Sequence, residues 1–368
     1  MDRAWIDGKA VALKAAIAEA AKLLGASRFP LIAGLGADVA GTRAAIALAE
    51  RLGAAIDHMH SDVLLRRLDS IREAEVMITT AADARARADY LLLVGPNAVA
   101  ACADLPRVLF GHTGPEADGR LRRVGWICPD RRAPSAFGEG AEPRSVGRDP
   151  SELPVLLAAL RARIAGRPIG KTRAPKPAID ALAAELAAVQ FGVAIWSATD
   201  LGPMETEMLH GMVADLNART RFSTLPLGPA DNALGVLQVC GWMTGFPMRT
   251  AFGRSNPEHD PWRFDTTRMV EAGEVDCALW ISAYGTAVPE WSAAVPVIAL
   301  TSVDAPMRRP ARVTIEVGRP GADYDAIEYS AAIGGLALSA AAKPSHAVSV
   351  AQVLVQIATT LRAGTCSC

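Results

Sequence analysis

Seven short apolar runs restrict how this chain can fold more than any other feature in it. They are Phe29-Pro-Leu-Ile-Ala-Gly34, Asp89-Tyr-Leu-Leu-Leu-Val-Gly95, Arg123-Val-Gly-Trp-Ile-Cys128, Gly192-Val-Ala-Ile-Trp-Ser197, Asp276-Cys-Ala-Leu-Trp-Ile-Ser282, Val295-Pro-Val-Ile-Ala-Leu300 and Arg312-Val-Thr-Ile-Glu-Val317. Their apolar residues are continuous rather than alternating, the pattern of strands buried on both faces of a parallel sheet. Helical spacing of three and four lies between them, over Thr42 to Leu52, Ser151 to Ile164, Ile179 to Val189, Glu205 to Leu216 and Val348 to Leu361. Ser151 is placed to cap its helix, with Glu152 in the first turn. Strands alternating with helices predict right-handed βαβ units, hence an α/β fold with helices on both sheet faces.

The 368 residues exceed one ordinary core. The stretch from Gly166 to Pro177 reads as a linker by its Pro, Gly and Lys content. The expected division is therefore residues 1–150 as a first Rossmann-like subdomain and 151–178 as a helix and linker. Residues 179–318 form a second Rossmann-like subdomain, and 319–368 a segment packing back on the core. Met1 to Ala21 reads as an amphipathic helix, because Asp2, Arg3, Asp7, Lys9, Lys14 and Glu19 interrupt any signal-peptide core. A net charge of −1 gives no general pull toward nucleic acid or an anionic membrane. No apolar run reaches the about 18 residues of a spanning helix, so a cytoplasmic protein is expected. Cys102, Cys128, Cys240 and Cys277 are scattered among apolar neighbours and read as buried thiols. Cys366-x-Cys368 offers too few ligands to close a zinc site and reads as a frayed terminus.

Several motifs come close to known chemistry and stop short. Gly34-Leu-Gly36-Ala-Asp-Val-Ala-Gly41-Thr42 follows a strand and opens a helix, where a phosphate loop belongs. Val39 replaces the third glycine of a dinucleotide fingerprint, and Thr42 the lysine of a P-loop. Asp57-His58-Met59-His60-Ser61-Asp62 offers two imidazoles to one ion, yet no further ligands follow at a recognisable spacing. It reads as a polar loop. No nucleophile elbow is present, and His112, His210, His259 and His346 lack a visible partner. The glycine-rich stretch around Asn232, Gly235, Gly241 and Gly245 reads either as a long loop or as a cleft wall. In the second case Arg249, Arg254 and His259 would line the cleft.

Leu216-Asn-Ala-Arg-Thr-Arg-Phe222 is followed by Pro226-Leu-Gly-Pro-Ala-Asp-Asn232, Gly241-Trp-Met-Thr-Gly-Phe-Pro-Met248 and Gly273-Glu-Val-Asp-Cys-Ala-Leu279. In the first half stand Ala47-Leu-Ala-Glu-Arg-Leu-Gly-Ala-Ala-Ile-Asp57 and Ala88-Asp-Tyr-Leu-Leu-Leu-Val-Gly95-Pro-Asn97. In this order they resemble the B subunit of the formylmethanofuran dehydrogenases, members of the molybdopterin oxidoreductase superfamily. The likeness runs from about Ile32 onward. It implies that superfamily's scaffold of two Rossmann-like parallel-sheet subdomains, without the iron–sulfur domain. No cysteine precedes Cys102, and such a cluster needs four thiolates. Within Ser61-Asp62-Val63-Leu64, Val63 falls about where the family places its metal-ligating cysteine. An aliphatic side chain cannot coordinate tungsten or molybdenum. The family's Trp-Gly-x-Asn-Pro turn reads Val94-Gly-Pro-Asn97-Ala98, and the loop at Pro229-Ala-Asp-Asn232 lacks the family's histidine.

This combination is most similar to the cofactor-less B subunit of the formyltransferase/hydrolase complex of methylotrophic bacteria. That resemblance implies a chain with no catalytic residues, no metal and no cofactor of its own, and A, C and D subunits as partners. The partners would carry the metal and a methanofuran-type carrier in converting formyl-tetrahydromethanopterin to formate. Asp62 and Val63 would mark a vestigial metal-ligand region, and Arg249, Arg254 and His259 are candidate contacts for the carrier's polyglutamate tail. Two alternatives stay open at this point. One is an active metallopterin dehydrogenase subunit, for which Asp62 is the nearest available ligand. The other is a free-standing nucleotide-binding α/β protein using the Gly34 to Gly41 turn.

Overall fold

A computed structural model describes residues 3–74, 77–96, 98, 108–109, 123–129, 144–254, 256–302 and 311–365. Each of the seven apolar runs is a strand in it. The strands are β1 (Ala4–Ile6), β2 (Lys9–Val11), β3 (Pro30–Gly36), β4 (Ala55–Ile56), β5 (Tyr90–Val94), β6 (Arg123–Ile127), β7 (Arg144–Val146) and β8 (Phe191–Ser197). Further along come β9 (Arg221–Leu227), β10 (Thr250–Ala251), β11 (Glu258–His259), β12 (Cys277–Ser282), β13 (Val297–Thr301), β14 (Val313–Glu316), β15 (Ala326–Ser330) and β16 (Gly335–Ser339). The helices are α1 (Leu13–Ala26), α2 (Val39–Leu52), α3 (Ser61–Ala74), α4 (Ala81–Arg87) and α5 (Leu153–Ile164). They continue with α6 (Lys176–Ala187), α7 (Pro203–Asn217), α8 (Ala233–Thr244), α9 (Thr266–Glu271) and α10 (Val350–Thr365).

The chain divides into two compact units, and neither is continuous in sequence. The first comprises Met1–Ser61, Ala230–Tyr329 and Leu336–Cys368; the second comprises Asp62–Pro229 and Ser330–Gly335. This differs from the linear division at residues 150 and 178 drawn from composition. The stretch from Gly166 to Pro177 joins α5 to α6, which pack on each other inside the second unit. Its Pro and Gly mark a turn between neighbouring helices, not a domain border.

In the first unit the sheet order among the described residues is β11-β10-β4-β3-β12-β13-β14-β1-β2. β4, β3, β12, β13 and β14 run parallel, and the antiparallel pairs lie toward the edges. Every residue of β3 is buried, as a strand covered on both faces requires. α10 packs against α1 and α2, so the C-terminal helix closes one face of this sheet's helical layer. In the second unit the order is β7-β6-β5-β8-β9, all parallel. Its core holds Tyr90, Trp196, Leu157 and Phe222. Trp126 is buried on β6, where its indole N–H donates to the carbonyl of Gly95 at 2.9 Å.

The N-terminus is not the expected helix. β1 and β2 form a hairpin in which Ile6 faces Lys9. The two residues between them, Asp7 and Gly8, both adopt positive φ (49° and 75°), the geometry of a tight hairpin turn. That Asp-Gly pair overrides the helical periodicity of its surroundings, and α1 begins only at Leu13. The glycine-rich region after Asn232 is not a loop either, because α8 runs through it from Ala233 to Thr244.

Gly34 opens a turn-like bulge inside β3, where the register against β12 shifts between Trp280 and Ser282. Its φ is +75°, and a Cβ there would lie 2.7 Å from the Ile281 carbonyl oxygen and 2.9 Å from the Trp280 ring. Gly34→Ala is expected to lower unfolding stability by about 2 kcal/mol or more, read from urea midpoints. A loss under about 0.5 kcal/mol would show that the turn has another accessible conformation.

Candidate functional site

The first unit's strand order reverses between β3 and β12. From β3 the chain passes through α2 to β4 on one side, while β12 leads to β13 on the other. The carboxyl ends of strands at such a reversal form the usual crevice of open α/β sheets. Gly36 lies at this point. A Cβ on it would meet the Met59 methyl at 3.1 Å and the Asp231 Cβ at 3.4 Å.

The loop after β4 supplies the polar groups. The Asp57 and Met59 amides donate to the Ile32 and Gly34 carbonyls at 3.0 Å each, extending the pairing along β3. His58 is therefore buried, contrary to the exposed loop read from the sequence. Its amide donates to Ser61 Oγ at 3.1 Å, and that hydroxyl donates to Asp57 Oδ1 at 2.5 Å. The His60 amide donates to His58 Nδ1 at 3.0 Å. This assigns the ring proton to Nε2, which faces the Asp231 carbonyl at 3.3 Å. Burial, then the neighbouring His60, push the His58 pKa down to about 4, so it is neutral at physiological pH. His60 Nε2 lies 3.0 Å from Asp231 Oδ2, and Thr286 Oγ1 donates to Oδ1 at 2.9 Å. Burial alone would raise the Asp231 pKa. The hydrogen bonds from His60 and Thr286, with the electrostatic pull of the two neighbouring imidazoles, outweigh it and hold the carboxylate below its ordinary range.

Asp231 and Asn232 are consecutive residues of positive φ (59° and 54°), a conformation their short polar side chains tolerate. Asn232 fixes the turn by donating to the Ala37 carbonyl and accepting from the Tyr329 amide, both at 2.8 Å. The sequence shows the Asp-Asn pair but nothing that singles out Asp231 or Thr286 as partners of His60.

The remaining predicted residues fall out differently. Arg249 does not present its charge to a surface tail. It is buried, with Nη2 2.5 Å from Asp265 Oδ2, Nε 3.7 Å from Asp57 Oδ1, and Nη1 donating to the Pro261 carbonyl at 2.7 Å. Burial pushes the Asp57 pKa up to about 6, against the opposing pull of Arg249, Ser61 and Thr266. His259 stacks on Phe246 and its Nδ1 lies 3.0 Å from the Arg249 carbonyl. Arg254 is exposed and pairs with Glu258 at 3.4 Å. Asp62 is exposed in the first turn of α3, and Val63 is half-buried against the second unit's core. At the Gly34 to Gly41 turn, Asp38 caps α2 by accepting from the Gly41 amide at 2.8 Å, and a Cβ on Gly41 would lie 2.9 Å from the Ala37 Cβ. The chain's own carboxylate thus occupies the place a phosphate would need. Cys128, Cys240 and Cys277 are buried free thiols. Cys102, His112, Asn97 and the Cys366-x-Cys368 pair lie outside the described residues.

No family model matches the chain. A curated relative does: the B subunit of the formyltransferase/hydrolase complex Fhc of Methylorubrum extorquens is 32% identical, over 98% of this chain and 97% of that one. The chain belongs to the family of Fhc B subunits. The family likeness extends to three dimensions. A chain in the crystal structure of the formyltransferase/hydrolase complex FhcABCD of Methylorubrum extorquens, solved with methylofuran, superposes with a TM-score of 0.84 at 32% identity, covering 99% of this chain and 100% of that one. More distant is the B subunit of the tungsten-containing formylmethanofuran dehydrogenase 2 of Methanocaldococcus jannaschii, 25% identical over 88% of this chain and 77% of its own length. The corresponding subunit of Methanococcus maripaludis is 24% identical over 73% and 64%.

The tungsten relatives make the donor set of this Fhc-type B subunit worth testing for a metal. Cys240 is the buried thiol that feels the Asp57 charge, and burial together with that charge pushes its pKa up to about 12. Without a metal it is a neutral thiol, and a bound tungsten or molybdenum would have to displace its proton. His58 has both ring nitrogens engaged within the fold. Among the described residues no group of three His, Cys, Asp or Glu side chains is arranged to hold a metal ion. Among the described residues, no helix is long and apolar enough to cross a membrane.

Proposed function

We propose that this chain is the non-catalytic structural subunit of a formyltransferase/hydrolase complex acting in one-carbon metabolism. The complex would pass a formyl group from formyl-tetrahydromethanopterin through a methanofuran-type carrier to formate. The A, C and D subunits would hold the metal and the reacting groups, and this chain would contribute a scaffold of molybdopterin-oxidoreductase descent with no cofactor of its own. One observation carries the reading: the crevice where the fold's ligand belongs is lined by groups that pair largely with one another. His58 and Asp231 are hydrogen-bonded within the fold, Asp57 faces the Arg249 guanidinium at 3.7 Å, and the nearby thiol is protonated. A scaffold that keeps a tethered carrier local raises its effective concentration without chemistry of its own.

Elemental analysis of the purified four-subunit complex is expected to assign no tungsten or molybdenum to this chain. Asp62→Asn is expected to leave turnover of the assembled complex within about twofold of wild type. Stoichiometric tungsten or molybdenum on the isolated chain, or a large loss of turnover in Asp62→Asn with assembly intact, would replace the scaffold reading with an active dehydrogenase.

A further inference from the structure

A separate group of buried polar side chains lies wholly within the second unit, where β8 and β9 run side by side. Their register pairs Ala194 with Thr224 and Trp196 with Pro226. Trp196, Thr224 and Pro226 therefore share one face of the sheet toward the carboxyl ends of its strands, where open α/β sheets take their ligands. Against that face α7 lays His210, whose ring meets Trp196 edge-on at 5.6 Å. Arg67 and Ile71 of α3, with Ile78, complete the walls of a crevice. The Thr224 amide donates to the Met77 carbonyl at 2.8 Å and the Thr79 amide to the Thr224 carbonyl at 2.9 Å, which fastens the Ile78 wall to β9.

Trp196 and His210 are 2% and 4% exposed, yet the indole Nε1 and both imidazole nitrogens have no hydrogen-bond partner among the described residues. Buried polar atoms are nearly always paired, so three orphans at one place require a reason. The edge-on ring contact can engage one N–H at most. Solvent cannot serve the rest, because the crevice spans about 180 Å³ but is too narrow to seat a water molecule.

The wall chemistry selects the ligand. The indole N–H only donates, and so does the guanidinium of Arg67, whose Nη1 is closed off from solvent here. Burial drives the His210 pKa down to about 4, so at neutral pH its ring donates once and accepts once. No carboxylate lines the crevice. Donors thus outnumber acceptors, and the formal charge on the walls is positive. A carboxylate answers both: its two oxygens accept several hydrogen bonds, and it pairs in plane with a guanidinium. Ile71, Ile78 and Pro226 offer nothing to a second polar end, which restricts the ligand to a small one with a single charge.

We infer that this crevice is a binding site for a small monocarboxylate, held by Trp196 Nε1, His210 and Arg67 and admitted when the half-buried Arg67 side chain swings aside. The test uses the full chain with isotope-labelled tryptophan at pH 8, titrated with sodium formate, the smallest carboxylate, and with sodium chloride at matched ionic strength. The readout is the indole N–H resonance of Trp196, assigned with Trp196→Phe. The exposed indoles of Trp242 and Trp262 are internal controls. Formate is expected to move the Trp196 resonance saturably while the two controls stay in place. A ligand of three heavy atoms sets the Kd at about 1 mM or weaker. His210→Phe and Arg67→Met, each checked for an unchanged melt, are expected to weaken binding at least about tenfold. Should His210→Phe fail to fold, Arg67→Met carries the comparison alone. A Trp196 resonance that stays put up to about 100 mM formate overturns the site. So does chloride moving it to the same extent, which would make the crevice an unselective anion contact. Wild-type affinity in the folded variants overturns it too, because formate would then bind elsewhere.

Discussion

Arg249→Met is expected to cost about 3–5 kcal/mol of unfolding stability at pH 8, because it removes one partner of a buried charge pair. The side chains of Asp57 and Arg249 are 4% and 10% exposed, so water cannot replace the lost guanidinium. Asp57 already binds its proton near pH 6 with Arg249 in place. Without that cation its pKa rises further, and the variant folds with a protonated Asp57. A group whose folded pKa exceeds its unfolded value of 3.8 favours the folded state more strongly as pH falls through the folded value. The deficit of Arg249→Met should therefore be smaller at pH 5.5 than at pH 8, and adding Asp57→Asn should recover part of it at pH 8. Urea unfolding at the two pH values measures both effects. A pH-independent deficit would mean that Arg249 acts through packing and its bonds to Asp265 and Pro261, not through Asp57.

The second large effect is on acid stability. His58 and His210 are both buried, and burial pushes each pKa from 6.5 down to about 4. A histidine that must stay neutral to remain folded gives its full stabilisation above pH 6.5, and that is lost as pH falls toward 4. For His210 the span corresponds to about 3 kcal/mol. Asp57 works in the opposite direction between pH 6 and its unfolded value, while Asp231, held below its ordinary range, adds to the loss in acid. His210 isolates its own part. Its ring meets Trp196 edge-on at 5.6 Å, and neither ring nitrogen has a hydrogen-bond partner among the described residues. His210→Phe should fit this apolar setting and flatten the fall in urea midpoint between pH 6.5 and 4 by about 3 kcal/mol. An unchanged slope would assign the acid sensitivity elsewhere.

The strands are legible because burial on both faces leaves an unbroken apolar signature that needs no partner to be read. β9 is buried almost throughout yet missed, since Ser223, Thr224 and Pro226 interrupt its run, and the short or half-exposed strands β1, β2, β4, β7, β10, β11, β15 and β16 carry no such signature. α8 is hidden by its glycines: Gly235 is required because a Cβ there would lie 2.3 Å from the Asn232 side-chain oxygen, a packing constraint that looks like loop composition in a sequence. The loop at Asp57 to Ser61 is visible as a motif, but its burial is not, because polarity alone suggests solvent. What buries it comes from afar. The Asp231 that binds His60 is 171 residues downstream, and the Thr266 amide that binds Asp57 is 209 residues downstream. Arg249 is misread for the same reason: a charge in a sequence carries no record of the carboxylates that will enclose it.

The interrupted course of the first unit sets a timetable for the nascent chain. β3 lies at the centre of its sheet, yet Pro30 pairs with Cys277, a residue made 247 positions later (277 − 30). At about 5–20 residues per second, one edge of a wholly apolar strand waits roughly 12–50 s for its neighbour. Almost all of the second unit, Asp62–Pro229, emerges in that interval and has its parallel sheet in hand first. A ribosome that stalls after Pro229 would thus release a chain with one sheet finished and an unpaired sticky strand beside it, the kind of half-product that holdase chaperones bind.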